Sequence, residues 1–169
     1  VLGIVDSIRS GRHHSSFARY QYPSKLPVEV QRRMIAAAKR LMRHIDYAGA
    51  AFNIEFFWNA DDDAIRLLEV NSRISKSHSP LFLMADGASI QKVVVELALG
   101  RRPEFPHRAG RFALAAKFML RYFEDGVVER APGRHAVHAF RHTFDEAMLR
   151  VFVERGMRLS ELPLQDSYS

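Results

Sequence analysis

The sequence predicts an α+β fold, a mostly antiparallel sheet with packed helices, followed by a small strand-rich subdomain. Three observations carry that reading. Val30, Met34, Ala38, Leu41 and Ile45 recur at four- and three-residue steps, the stripe of one amphipathic helix. Two runs rich in Phe, Ile, Leu and Val flank Ala60-Asp61-Asp62-Asp63, the pattern of a hairpin closed by an acidic turn. Residues 101–110 hold two prolines and a glycine. That linker composition divides a first domain, 1–104, from an appended subdomain, 105–169.

The elements follow in order. Val1 to Ile8 reads as a strand and Arg9 to Ser16 as a polar loop; Phe17 to Tyr22 alternates as a second strand that Pro23-Ser24 ends. Pro27 sits where a helix starts, which places a helix over 27–45 with Arg32, Arg33, Lys39, Arg40 and Arg43 off its apolar face. Ala51 to Trp58 and Ala64 to Asn71 form the hairpin. After a polar stretch to Pro80, Ala88 to Leu99 carries Ile90, Val94 and Leu97 on one side of a helix that Gly100 stops. Phe112 to Leu120, Gly126 to Arg130 and Met148 to Val153 supply the strands of the later subdomain.

Composition narrows the function classes. At 169 residues, 47% apolar and 26% charged, the chain is globular rather than disordered. It has no cysteine, which excludes disulfides, thiolate zinc sites and cysteine nucleophiles. No apolar run approaches the ~20 residues of a membrane span, and no signal-peptide pattern opens the chain; a cytoplasmic protein without a membrane partner is expected. The chain starts without Met inside Val1-Leu2-Gly3-Ile4-Val5 and stops at Tyr168-Ser169, as a piece of a longer protein would. Charge is uneven. Nine Lys or Arg against two acidic residues leave 1–45 at +7, whereas sixteen basic and seventeen acidic side chains leave 46–169 at −1. Such asymmetry suits an anionic partner, nucleic acid or a phosphorylated small molecule, or else a solvated helix face.

The hairpin carries the chemistry. Residues two apart on a strand share a face, so Asn53, Glu55 and Phe57 lie together, as do Leu67, Glu69 and Asn71. Phe52, Ile54 and Phe56, with Leu68 and Val70, point to a core. A turn about Asp61-Asp62, within the slip such a turn allows, sets Glu55 opposite Glu69. Like charges directly opposed are destabilising. The pair is therefore solvated, shares a proton as an acid/base dyad, or is bridged by divalent cations. Hard oxygen ligands beside an asparagine carbonyl suit Mg²⁺ or Mn²⁺ better than Zn²⁺. Arg73, two residues beyond Asn71, offers a cation for phosphate oxygens or developing negative charge. Together these make a set for phosphoryl transfer.

Phe52-Asn53-Ile54-Glu55-Phe56-Phe57, the acidic turn and Leu67-Leu68-Glu69-Val70-Asn71-Ser72-Arg73-Ile74 resemble the metal-binding hairpin of ATP-grasp enzymes, nearest the biotin carboxylase and carbamoyl phosphate synthetase large-chain branch. Ser77-His78-Ser79-Pro80, Gly87-Ala88-Ser89 and Glu96-Leu97-Ala98-Leu99-Gly100 continue the resemblance in order, which covers residues 28–103. It implies the carboxyl-terminal, metal-binding lobe of an ATP-grasp ligase, with ATP and Mg²⁺ (or Mn²⁺) as cofactors. By the resemblance Glu55, Glu69 and Asn71 hold the metal that bridges the ATP phosphates, and with His78 they form the cofactor-binding set. Arg73 is the expected catalytic residue, set against phosphate or substrate. Such ligases phosphorylate a carboxylate to an acyl phosphate that an amine or another nucleophile captures, so a small-molecule carboxylate is an expected partner.

Two departures stand out. Biotin carboxylases carry a glutamate base for bicarbonate where this chain has Ser77, and a serine cannot take that role. The family's glycine-rich phosphate loop is missing, and none of the five lysines has a glycine-rich context. The amino-terminal ATP-grasp lobe of the same protein is thus a further expected partner, and a homodimer is compatible with the sequence. Two other readings remain beside the ligase: a biotin carboxylase-type subunit, and a non-catalytic nucleic-acid module using the basic helix 27–45. Against the latter, aromatics are not interleaved with those arginines as a stacking platform requires. His135, His138 and His142 have helical spacing, but Pro132-Gly133 and the lack of an acidic partner favour surface histidines over a metal site. His13-His14 stands in a loop with Arg9 and Arg12, equally a phosphate cover or an ordinary polar loop. Asp61 to Asp63 reads as a solvated turn rather than a calcium loop, and Trp58 as packing.

Overall fold

In the computed structural model residues 1–9 and 17–162 are described; Arg12, His13 and His14 of the expected polar loop, and residues 163–169, lie outside them. The elements run β1 (Asp6–Arg9), β2 (Phe17–Tyr22), α1 (Val28–His44), β3 (Asn53–Asn59), β4 (Ala64–Asn71), α2 (Ser79–Asp86), α3 (Ile90–Ala98), β5 (Ala115–Phe118), α4 (Arg134–Thr143) and a 3-10 turn, Leu159–Glu161. Every pairing is antiparallel. One sheet has the order β1-β2-β5, and β3-β4 stands as a separate hairpin. The α+β class expected from the pattern is the class observed.

Helix α1 starts after Pro27, carries Glu29 in its first turn and Arg43 and His44 in its last, charges that complement the helix dipole. Its buried stripe is Val30, Met34, Ala38 and Met42. Ile45, expected on that stripe, is exposed instead, because the helix has already closed. Asp46 turns to φ 52° and the Tyr47 N–H donates to the Met42 carbonyl at 2.9 Å.

Helix α2 has no counterpart among the elements expected from sequence. Leu81-Phe82-Leu83-Met84-Ala85 is apolar all round, and a helix buried on most sides shows no 3.6-residue stripe. Leu81, Phe82 and Ala85 instead form the middle of a core with Tyr20, Tyr22, Ile90 and Ala115. Asp86, fully buried at its end, accepts hydrogen bonds from the Tyr22 hydroxyl (2.6 Å) and the Arg108 backbone N–H (2.8 Å). Those bonds offset the cost of a desolvated carboxylate. Burial, and then the Asp86 carboxylate, push the Tyr22 phenol upward from its ordinary value. Gly87, at φ 78°, closes the helix with its N–H on the Leu83 carbonyl. Gly110 lies so close to the same end that a Cβ there would strike the Met84 carbonyl and Ala85 backbone.

The chain divides into two compact units, Val1–Leu120 and Arg121–Ser169. β5 pairs with β2, so the strand expected to open the appended subdomain completes the first unit, which runs past the expected boundary at 104. The Pro-rich 101–110 segment is a crossing loop rather than a division, since the open edge of β2 takes the strand beyond it. In the second unit the strands expected over Gly126–Arg130 and Met148–Val153 do not form. Among the described residues a single bridge, Val127 to Arg158, joins two turns, with the Val128 N–H on the Met157 carbonyl at 2.8 Å. The alternating run 148–153 has no partner strand, and Met148 and Phe152 are exposed. Residues 134–143 form α4, none of whose residues is buried. Among the described residues no helix is long and apolar enough to cross a membrane.

Candidate active site

The β3-β4 ladder sets Asn59 against Ala64, Phe57 against Arg66 and Phe56 against Leu67; then a bulge intervenes, and Glu55 faces Glu69, Ile54 faces Val70 and Asn53 faces Asn71. Leu68 is the extra residue. A bulge sets two residues of one strand against one of the other and bends the strand. Without it Glu55 would face Leu68 and the two carboxylates would point to opposite sides. Leu67, expected on the glutamate face, pairs with Phe56 and so falls on the other. The remaining face gathers Glu55, Glu69, Asn53 and Asn71. Asn53 opposite Asn71 is a pairing the sequence reading did not make.

The tip of the hairpin is held separately. The Asp63 carboxylate accepts from Arg33 of α1 (2.6 Å) and from the Trp58 indole N–H (2.8 Å), while Arg66 pairs with Asp62 at 2.6 Å. The acidic turn is thus a solvated, arginine-tied turn. At the other end the glutamates have no such partners. Among the described residues neither the Glu55 nor the Glu69 side chain makes a hydrogen bond or an ion pair. Burial, and then the Glu69 charge, raise the Glu55 carboxyl above its ordinary value, opposed by Arg9 and Arg73. Arg73 is exposed and, among the described residues, donates a long bond, 3.4 Å, to the Ile74 carbonyl.

Ser77 is buried, and its hydroxyl accepts from the Lys117 ammonium at 3.0 Å. Lys117 comes from β5, which no reading of the hairpin motif reaches. His78 stands at the N-cap of α2 with its ring edge-on to Tyr20, 4.8 Å between centroids. Burial, and then the nearby Lys117 charge, hold its imidazole down to about 4, so at neutral pH it is uncharged. A cavity of about 850 Å³ is bounded by β1, α1, α3 and the hairpin; Arg9, Glu55 and His78 lie on its wall.

The donor set fits a hard divalent cation. Two carboxylates face each other, two amide side chains adjoin them, and among the described residues no ion pair closes on either carboxylate and no third His, Cys, Asp or Glu joins them. Mg²⁺ is held this way, by one or two carboxylates with phosphate and water completing the shell. His135, His138 and His142 make no three-ligand group; only the His138 and His142 rings adjoin, at 4.6 Å.

Residues 7–104 match the family described as carbamoyl-phosphate synthase L chain, ATP binding domain. Among solved structures, urea amidolyase from K. lactis is 25% identical with a TM-score of 0.52, over 63% of this chain and 6% of that one. Urea carboxylase from Kluyveromyces lactis gives the same identity and TM-score over 63% of this chain and 10% of that one. The biotin carboxylase domain of the 2-oxoglutarate carboxylase from Hydrogenobacter thermophilus, solved as a dimer with MgADP and bicarbonate, is 22% identical with a TM-score of 0.54, over 76% and 26%. The likeness to this domain concerns the fold. The chain spans about a quarter or less of each of these three solved chains.

Proposed function

Because the chain belongs to the family of carbamoyl-phosphate synthase L chain ATP-binding domains, we propose that it is the metal-holding part of an ATP-dependent ligase that activates a carboxylate. The observation that carries this is Glu55 opposite Glu69 with, among the described residues, no ion pair to either. Glu55, Glu69 and Asn71 hold Mg²⁺, which when bound neutralises charge on the β- and γ-phosphates of ATP. Arg73 faces the phosphate or the substrate carboxylate and steadies negative charge as it moves. In the reaction a carboxylate oxygen attacks the γ-phosphorus, the bond from that phosphorus to the β-bridging oxygen breaks, and ADP leaves. An amine or other nucleophile then takes the acyl group from the acyl phosphate and releases inorganic phosphate.

Residues 1–104 serve in this reading as the core of the second ATP-grasp lobe. The amino-terminal lobe grips the adenine, and the cytoplasm is the setting. Homodimerisation, seen for the Hydrogenobacter domain, is one assembly open to the parent. Ser77 separates a general ligase from a bicarbonate-using carboxylase. Its buried hydroxyl, already bonded to Lys117, has no carboxylate's capacity to take a proton at neutral pH. The parent enzyme should hydrolyse or exchange ATP in response to a carboxylic acid and should not carboxylate biotin with bicarbonate. For the metal site, Mn²⁺ titration followed by electron paramagnetic resonance is the test. Mn²⁺ should bind wild type and bind Glu69→Gln at least tenfold more weakly, about 1.4 kcal/mol; equal affinities would overturn the assignment.

A further inference from the structure

We propose that Arg9 is a second phosphate-gripping cation of this site, facing the carboxylate pair from β1 while Arg73 faces it from the hairpin. The inference rests on the metal-site reading above and adds a residue that the hairpin motif does not contain. Arg9 ends β1 beside a bulge: the ladder steps from Ile8 opposite Arg19 to Arg9 opposite Phe17, which leaves Ala18 of β2 as the extra residue. That bulge is what brings Phe17, rather than Ala18, opposite Arg9. The Arg9 guanidinium lies over the Phe17 ring, 4.9 Å from its centroid, which fixes its direction without using its hydrogen-bond donors. Arg9 and Glu55 line one cavity, and both Arg9 and Arg73 act electrostatically on Glu55.

Arg9 and Glu55 share one cavity wall and Glu69 faces Glu55 across the ladder, yet among the described residues no ion pair joins Arg9 or Arg73 to either glutamate. Packing that only neutralised charge would close such pairs. Unclosed charges of both signs suit an occupant that carries both: a divalent cation on the carboxylates and a polyphosphate on the guanidiniums, whose planar forks match phosphate oxygens.

The test separates the two signs, using Mn²⁺ alone and then Mn²⁺ with tripolyphosphate on the 169-residue chain, read by electron paramagnetic resonance and calorimetry. In Arg9→Ala a cation competing with the metal is gone, so bare Mn²⁺ should bind equally or more tightly. The Mn²⁺–tripolyphosphate complex should bind about tenfold or more weakly, the loss of a charge-assisted hydrogen bond, with Arg9→Lys in between. Arg33→Ala, which removes an arginine tied to Asp63, should change neither affinity. Unchanged tripolyphosphate affinity in Arg9→Ala overturns the proposal. So does a parallel loss of both affinities, the mark of a merely structural residue. If wild type binds no Mn²⁺, the metal-site reading itself falls and takes this one with it.

Discussion

At the scale of single residues, charge without a partner governs the site. Glu55 and Glu69 repel each other across the ladder, so removing one charge should not harm the metal-free protein. Glu69→Gln is expected to be as stable as wild type or more stable by a few tenths of a kcal/mol in urea unfolding without metal. His78 sets a second expectation. Unfolded, it takes a proton near 6.5; folded, only near about 4. Between those values the unfolded chain binds more protons, so stability is complete above 6.5 and falls as pH drops through that window. Wild type should lose on the order of 2 kcal/mol more than His78→Gln between pH 7 and pH 4. Equal pH profiles of the two proteins would show that His78 does not stay neutral.

At the scale of elements, what was legible in the sequence is what repeats locally. Helix α1 shows its stripe and β3 its alternation, so the opposition of Glu55 and Glu69 could be read in advance, whereas in β4 Leu67 falls on the other face and Leu68 and Val70, expected in a core, are exposed. The bulge at Leu68 could not be read: it depends on how the strand is laid against its partner, not on a residue type. Nor could α2, whose segment Leu81 to Ala85 is apolar on all sides, or Lys117 beside Ser77, a contact made forty residues apart in the chain. The second unit misled for a related reason, since alternation at 148–153 is a property of the run whereas a strand needs a neighbour. Because α2 is the middle of the core, Leu81→Ala should cost about 2–5 kcal/mol. Gly110→Ala should also destabilise, because the added methyl meets backbone rather than a movable side chain. Chemical denaturation of each variant checks both.

At the scale of the whole molecule, the two compact units suggest separability. A chain ending at Leu120 keeps α1, the hairpin, α2, α3 and every named strand. It should retain the circular dichroism expected for those elements and the Mn²⁺ affinity of the 169-residue chain; loss of either would mean that the second unit supports the first. Catalysis is another matter. Positioning both reactants can be worth ~7–11 kcal/mol, and this sequence holds no glycine-rich loop to close over a triphosphate. The 169-residue chain is therefore expected neither to hydrolyse Mg·ATP nor to bind it at micromolar concentration in calorimetry. Turnover by this chain alone would relocate the nucleotide site.

The extra residue at Leu68 makes the hairpin two short ladders coupled by a joint. The outer ladder, Phe56–Asn59 with Ala64–Leu67, is tethered to α1 through Asp63 and Arg33; the inner one carries the glutamates. Twist imposed on the tip can be absorbed at the joint before it reaches the carboxylates. The tip can then be pulled, lengthened or rebuilt by a residue without turning the carboxylates over, a freedom that an unbroken ladder would lack. Amide exchange would register this as a break in protection at Leu68, with slower exchange on either side, and a ladder protected without interruption from Ala64 to Asn71 would show the joint to be rigid.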